Sequence, residues 1–406
     1  MSRLMWFHPL SKLVGGLLLW LVPFATATGE AADFTLATHC PAGFKVNELS
    51  VCKLDSLYNG YTSPHNSGVG GLRAGLPKVR DGFNPKVIDL GRYLFFDPLL
   101  SGDKSLACSS CHDPDLGFSD GLGRARGLNG AVLQRSAPSL WNIGFFDTLL
   151  WDGSKASLET QVLGPLYAPN EMGNTPEQLL SDLSNNATYV SLFSEAFGTP
   201  DIQLSQVYTA LTAFEASLIS LNSRYDFYAH GIHDALSPSE LEGLNVFRSF
   251  VSRCGECHTP PLFSNQEIAI IGVPEPEGRP LDPGAGATSG ISSQRGGFRV
   301  PSLRNIAKTA PYMHQGNFKT LRDTVAFYNG GRGHAVPKDE NLLIHWHIWE
   351  PNLRDEELDR LVDFLHALTD EGFMPVIPEH VPSGLTPGRA KYAKQKYRQD
   401  LTSRSQ

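Results

Sequence analysis

The feature that most constrains this chain is the spacing CxxCH, which occurs as CSSCH at 108–112 and again as CGECH at 254–258. Two thiols two residues apart can form thioether links to the vinyl groups of one haem, and the adjacent histidine is placed to bind its iron. A lone CxxCH would also suit half of a zinc site or a redox dithiol. Here the pair uses four of the six cysteines, and each copy carries its histidine. Cys108, Cys111 and His112, and then Cys254, Cys257 and His258, therefore read as two covalent haem c sites. With 39 glycines and 28 prolines, the chain reads as a loop-rich fold in which the cofactors supply much of the core.

The repetition extends past the motifs. PSLWNI at 138–143 is matched by PSLRNI at 301–306, 163 positions later. At that offset Gly153 meets Gly316, Leu158 meets Leu321 and Val162 meets Val325. This pattern predicts two cytochrome c-like domains related by internal duplication, 84–230 and 231–373. The mismatches mark where the two haems should differ: Trp151 falls opposite His314, Gln161 opposite Thr324 and Pro165 opposite Tyr328.

Residues 1–32 read as an export signal, with Arg3 and Lys12 before an apolar stretch at 13–24 and small residues at 25–27. That stretch is short for a membrane span, and no later segment is apolar enough to cross a bilayer. Export agrees with haem attachment outside the bacterial cytoplasm and with a disulfide between the remaining pair, Cys40 and Cys52. The formal charge of -8 argues against a nucleic-acid partner. Residues 33–83 read as an irregular N-terminal extension and 374–406 as a C-terminal tail, solvated from Arg389 onward. Helices are predicted at 84–96, after the Thr175-Pro176-Glu177-Gln178 cap, over 204–228, from Ser237 into Cys254, and around Leu358, Leu361, Val362, Leu365 and Leu368. Strand-like alternation is scarce, so the fold is mainly α.

The second side of each iron separates the two sites. Between Asp113 and Ala229 there is no histidine, and the only methionine is Met172, so the first haem is expected to be open to a substrate. Proline has no group that binds iron, whereas its counterpart Tyr328 offers a phenolate. Tyr312, Met313 and His314 lie near enough in sequence to compete, and a buried tyrosine also commonly rests its hydroxyl on a backbone carbonyl. Glu171 is a candidate general acid and base, or a solvated loop carboxylate. Trp151 is a candidate redox group, or a core aromatic.

The segments FFDPLLSGDKSLACSSCHDP (95–114), LLWDGSKASLETQVLGPLYAPNEMG (149–173) and TAPYMHQG (309–316) resemble the bacterial dihaem cytochrome c peroxidases and their MauG-type relatives. The resemblance spans 84–369. It implies an open first haem that reduces hydrogen peroxide with help from Gln161 and Glu171, and a tryptophan between the haems at Trp151. Ordinary members place a methionine on the second iron and a histidine in the loop after the first motif. This chain has Tyr328, in AFYNGG, and no histidine in that loop, as in the MauG branch, which includes MbnH-like enzymes that convert tryptophan to kynurenine in a copper-associated partner. The resemblance also implies a calcium ion on the carbonyls of Thr309 and Pro311, although Ser136 stands where the family has asparagine. HWHIWE at 345–350 departs from the pattern, and Trp346 and Trp349 read there as a core or lid segment or as an oxidisable relay. The function these readings support is an exported, periplasmic dihaem oxidoreductase that oxidises Trp or Tyr side chains of a secreted protein. The alternatives are a peroxidase fed by a small cytochrome or cupredoxin and a non-catalytic electron carrier.

Overall fold

The structure, a computed structural model, describes residues 34–60, 75–331 and 333–391. The expected export signal and the glycine-rich run at 67–74 lie outside the described residues.

Cys40 and Cys52 are joined. The extension expected to be irregular here carries a hairpin, β1 (Phe44–Val46) against β2 (Cys52–Leu54). The reason is local: the Asn47 side chain accepts the N–H groups of Leu49 and Val51, and Ser50 turns at φ 58°. Helix α1 (Pro85–Phe96) starts at Asn84, whose side chain accepts Lys86 N–H, with proline at the first position. After the first motif come α2 (Leu158–Gln161), α3 (Leu163–Tyr167), α4 (Pro176–Ser184), α5 (Ala187–Phe197) and α6 (Leu204–Ala216). Thr175 caps α4 through Gln178 N–H as its sequence predicts. The second half contains α7 (Arg224–Ala229), α8 (Pro238–Phe247), α9 (Cys254–Cys257), β3 (Ile268–Ala269), α10 (Ala285–Ser289), β4 (Phe298–Arg299), α11 (Leu321–Gly330) and α12 (Asp355–His366). The fold is mainly helical.

Two predicted helices are shorter than their periodicity suggests. The one expected over 204–228 breaks after α6, because Asn142 holds both the N–H and the carbonyl of Ser220 and Asp370 accepts from Leu221 and Asn222. The one expected to run from Ser237 into Cys254 ends at Phe247, and Arg253 turns at φ 54° before the motif restarts a short helix. The tail also differs from its expected solvated state as far as residue 391. Arg389 binds Asp113 at 2.9 and 2.7 Å, and the Ser109 hydroxyl, inside CSSCH, donates to Gly388 O at 2.8 Å.

The two halves share one construction. Asn142 and Asn305 both sit in the left-handed region, at φ 61° and 57°, and each bonds to the chain just past a helix: Asn142 to Leu218 and Ser220, Asn305 to Leu368 and Asp370. The bridge Leu149–Lys155 recurs at the same offset as Tyr312–Phe318. Helix α1 crosses α6 at Gly91 and α8 crosses α12 at Gly243. A Cβ on either glycine would stand 1.9 Å from a backbone oxygen, of Ala210 and Arg360 respectively. Around these crossings pack two aromatic cores, Phe95, Phe96 and Phe214 in the first and Phe247, Phe263 and Phe364 in the second.

Gly91→Ala and Gly243→Ala should therefore each cost about 1–3 kcal/mol or more, the scale of overpacking a close contact. Gly164→Ala, in α3 with open space around it, should be neutral or slightly stabilising. Denaturant midpoints of the three variants check this; equal midpoints would mean that the helix pairs can separate at no cost.

Candidate functional site

Each motif histidine is oriented by a backbone carbonyl. His112 Nδ1 lies 2.9 Å from Phe118 O, and His258 Nδ1 lies 3.1 Å from Phe263 O and 3.2 Å from Pro301 O. A carbonyl only accepts, so Nδ1 carries the hydrogen and Nε2 keeps its lone pair. Burial lowers both imidazole pKa values, which keeps the rings neutral. A buried, neutral imidazole with Nε2 free, beside two cysteines, is a donor set that fits a haem iron at both sites.

The carbonyls are themselves held in place. Phe118 and Phe263 take φ 59° and 56°, a strained region for such side chains, and both are fully buried. Against Phe118 stands Trp141, edge-on at 5.0 Å; against Phe263 stands the Arg304 guanidinium at 5.2 Å. Trp141 and Arg304 are the residues in which PSLWNI and PSLRNI differ.

Cys254, Cys257, His258 and Tyr328 line one cavity of about 240 Å³, together with Trp151, Met313 and His314. Burial, then the charges of Cys257 and Cys254, raise the Tyr328 phenol, and no hydrogen bond contributes to that shift. His314 stacks on Phe298 at 4.0 Å, and its Nε2, 3.5 Å from Glu275, has no hydrogen-bond partner among the described residues. Met313 and Tyr312 remain on the same wall.

Around the first motif, Gln161 ends α2, Pro165 follows in α3 and Glu171 sits in the turn after it, all half-buried. Burial raises the Glu171 carboxyl. Its charge and that of Asp120 help to push the Cys111 thiol, already raised by burial, to about 12, so both acids face the site. Sequence reasoning missed Asp120, which burial raises to about 6, and Glu215, raised to about 8 and acting on Cys108.

Trp151 and His314, paired by the repeat, meet across one residue. Trp151 Nε1 donates to Ser136 O at 3.0 Å, and Ser136 N donates to His314 O at 2.8 Å. The Ser136 hydroxyl donates to Met313 O at 3.1 Å. Thr309 and Pro311 lie on the same cavity wall, which carries no carboxylate. Calcium takes six to eight oxygens, waters among them, and the Thr309 and Pro311 carbonyls are two candidates. The HWHIWE segment is not core: Trp346 is 67 % exposed. Arg253 lies 4.6 Å from the Trp349 ring and 5.4 Å from that of Trp346. Donor atoms of His345, His347 and Cys257 cluster within 4.8 Å, but a metal ion there would compete with haem for the same sulfur.

Comparison with known proteins agrees with this geometry. Residues 85–234 match the family model described as di-haem cytochrome c peroxidase. The chain is 32% identical to the methylamine utilization protein MauG of Methylorubrum extorquens, over 73% of this chain and 81% of that protein. It is 33% identical to the cytochrome c551 peroxidase of Nitrosomonas europaea, over 60% of this chain and 72% of that one. Among solved structures, a MauG-like protein associated with microbial copper homeostasis superposes with a TM-score of 0.68 at 31% identity, covering 75% of this chain and 96% of that one. The diheme peroxidase BthA from Burkholderia thailandensis gives 0.63 at 26%, covering 87% of this chain and 100% of that one.

Glu215 gives a test of the buried site. The folded chain keeps a proton there up to about 8, whereas an ordinary glutamate releases it near 4.5. Its contribution to stability is complete below the lower value and is lost as pH rises through the higher. The thermal midpoint of the haem-loaded protein should therefore fall across that window, and less so in Glu215→Gln. Parallel profiles would mean that Glu215 is ionised in the fold.

Proposed function

Because the chain belongs to the family of di-haem cytochrome c peroxidases and MauG proteins, haem-dependent oxidoreductases that hold two haems, we propose that it uses hydrogen peroxide at the first site to oxidise tryptophan or tyrosine side chains of another exported protein. The observation that carries this is Tyr328. It shares a cavity with His258 and both cysteines of the second motif, and the family resemblance sets it where methionine-ligated peroxidases have their methionine. Cys108 and Cys111, and Cys254 and Cys257, would hold the two haems, which would supply iron for peroxide reduction and a store of oxidising equivalents.

The chain's own groups do the rest. His112 and His258, their Nδ1–H groups held by carbonyls, would offer Nε2 to the irons. Glu171, desolvated and with no opposing charge, takes a proton from peroxide and returns it to the departing oxygen, while the Gln161 amide orients the oxidant. Trp151, fixed by its bond to Ser136 and lining the second cavity, is the tryptophan the resemblance sets between the haems, and it conducts between them. Burial keeps the Tyr328 proton on; bound to iron the phenol would give it up, and the anion would favour ferric iron and resist easy reduction, which suits an oxidant waiting for a slow protein substrate. Exposed Trp346 and cavity-lining Trp349, with Arg253 beside both, offer an aromatic face beside the second motif for that substrate. No helix among the described residues is long and apolar enough to cross a membrane, and the protein acts in the periplasm.

A second reading, turnover with electrons from a small cytochrome or cupredoxin, is favoured by one observation: Met313 lines the same cavity. Near-infrared spectroscopy separates the two. A sulfur-to-iron band in the oxidised protein that vanishes in Met313→Ala but not in Tyr328→Phe would replace the first reading with the second. In the expected outcome there is no such band, and Tyr328→Met raises the second haem's potential and abolishes oxygen addition to the partner, read by mass, with both haems attached.

Glu171→Gln should slow the peroxide reaction by about 10²-fold or more in stopped flow. As a base Glu171 must be ionised, so the wild-type rate should fall as pH drops through a midpoint above 4.5, the ordinary value that burial exceeds, and the variant should lose that limb. An unchanged rate and profile would return Glu171 to a loop carboxylate.

A further inference from the structure

The cavity around Cys254, Cys257, His258 and Tyr328 is lined by no aspartate or glutamate, yet two arginines face it. Arg253 has an acid in reach, Glu256 at 3.8 Å, and lies beside the rings of Trp346 and Trp349. Arg299 has none. It is 6 % exposed, its Nε donates to Leu150 O at 3.3 Å, its guanidinium lies 4.7 Å from the Phe146 ring, and its Nη1 is buried with no hydrogen-bond partner.

A guanidinium buried without a counter-ion is costly, and desolvation alone pulls its pKa down to about 10. The backbone beneath it is fixed as well. Arg299 lies in β4 opposite Ile268 of β3, and its backbone N–H donates to Trp151 O at 2.8 Å. An immobile, desolvated cation with an unused N–H, on the wall of a cavity that has no carboxylate, calls for an anion that arrives with the guest. Haem brings two propionate carboxylates, on the edge of the macrocycle away from the vinyl groups that cysteines attack.

We propose that Arg299 anchors a propionate of the haem held by Cys254, Cys257 and His258, and that its contacts with Leu150 and Trp151 fix that haem edge against the loop carrying Trp151. The proposal rests on the reading of this cavity as a haem site and adds the residue that orients the haem within it. Paired with Arg299 by charge-assisted hydrogen bonds, the propionate stays ionised through the neutral range. Without the cation, the carboxylate's own charge stabilises ferric iron more strongly, and the propionate takes up a proton more readily when the iron is reduced.

The test uses haem-loaded wild type, Arg299→Lys and Arg299→Gln, with haem counted by intact mass and the second haem's reduction potential followed between about pH 5 and 8. The expected result is two haems in each protein, a flat wild-type profile, a near-wild-type profile for the lysine variant, and a lower potential that falls with pH for the glutamine variant. A glutamine variant with both haems and the wild-type profile would overturn the anchor. A wild type lacking the second haem would instead overturn the reading of the cavity itself. Should the glutamine variant not fold, redox-difference infrared spectra of wild type and Arg299→Lys decide. The propionate band should be that of an ionised carboxylate and should shift on substitution, and a band that titrates in the ordinary carboxylic range or does not move overturns the proposal.

Discussion

The hydrogen bonds from His112 Nδ1 to Phe118 O and from His258 Nδ1 to Phe263 O are the contacts on which the rest depends. They set the tautomer and the aim of each ring, and only the other nitrogen can then meet iron. The fold maintains them by holding two phenylalanines in a backbone region they seldom adopt, which needs support from every side. In the first half that support is an indole. In the second it is Arg304, fully buried and bound in a fork to Asp226 at 2.6 and 2.7 Å, with Pro261 O and the hydroxyls of Ser223 and Tyr58 completing its shell. Breaking such a pair costs about 3–5 kcal/mol, because the other charge is left stranded.

One frame with two different fillings explains how similar sites diverge. The glycine crossings, the left-handed asparagines and the bridged loops recur at both sites, so a change in side chain alters chemistry without moving the backbone. Where the first half has Pro165, whose side chain has no group that binds iron, the second has Tyr328. Where the first has Trp151, bonded to Ser136, the second has His314, whose carbonyl bonds the same serine. The two halves therefore meet through the residues in which they differ.

The C-terminal segment adds a long-range constraint. Ser383 binds Asp97, Gly388 N donates to Phe96 O, and Arg389 grips Asp113 directly after the first motif. The Cβ that Gly388 lacks would lie 2.5 Å from Ala107. The first motif is thus clamped between α1 and a strand of chain nearly 280 positions downstream, at Gly388.

The sequence by itself determined the two haem motifs, the repeat, the mainly helical class, the caps of α1, α4 and α8, and the contrast between Pro165 and Tyr328. These are signals of spacing and residue type, carried by neighbours in the chain or by one fixed offset. Tertiary structure decided what depends on distant partners. Helix α6 stops where Asn142 and Asp370 capture the backbone, and Arg389 leaves solvent because Asp113 lies within reach. Asp120, Glu215 and Arg299 are ordinary charged residues in sequence. They become unusual only once the fold removes their water and, for Arg299, supplies no opposite charge. Desolvation is a property of the packed chain, and no local pattern of residues encodes it.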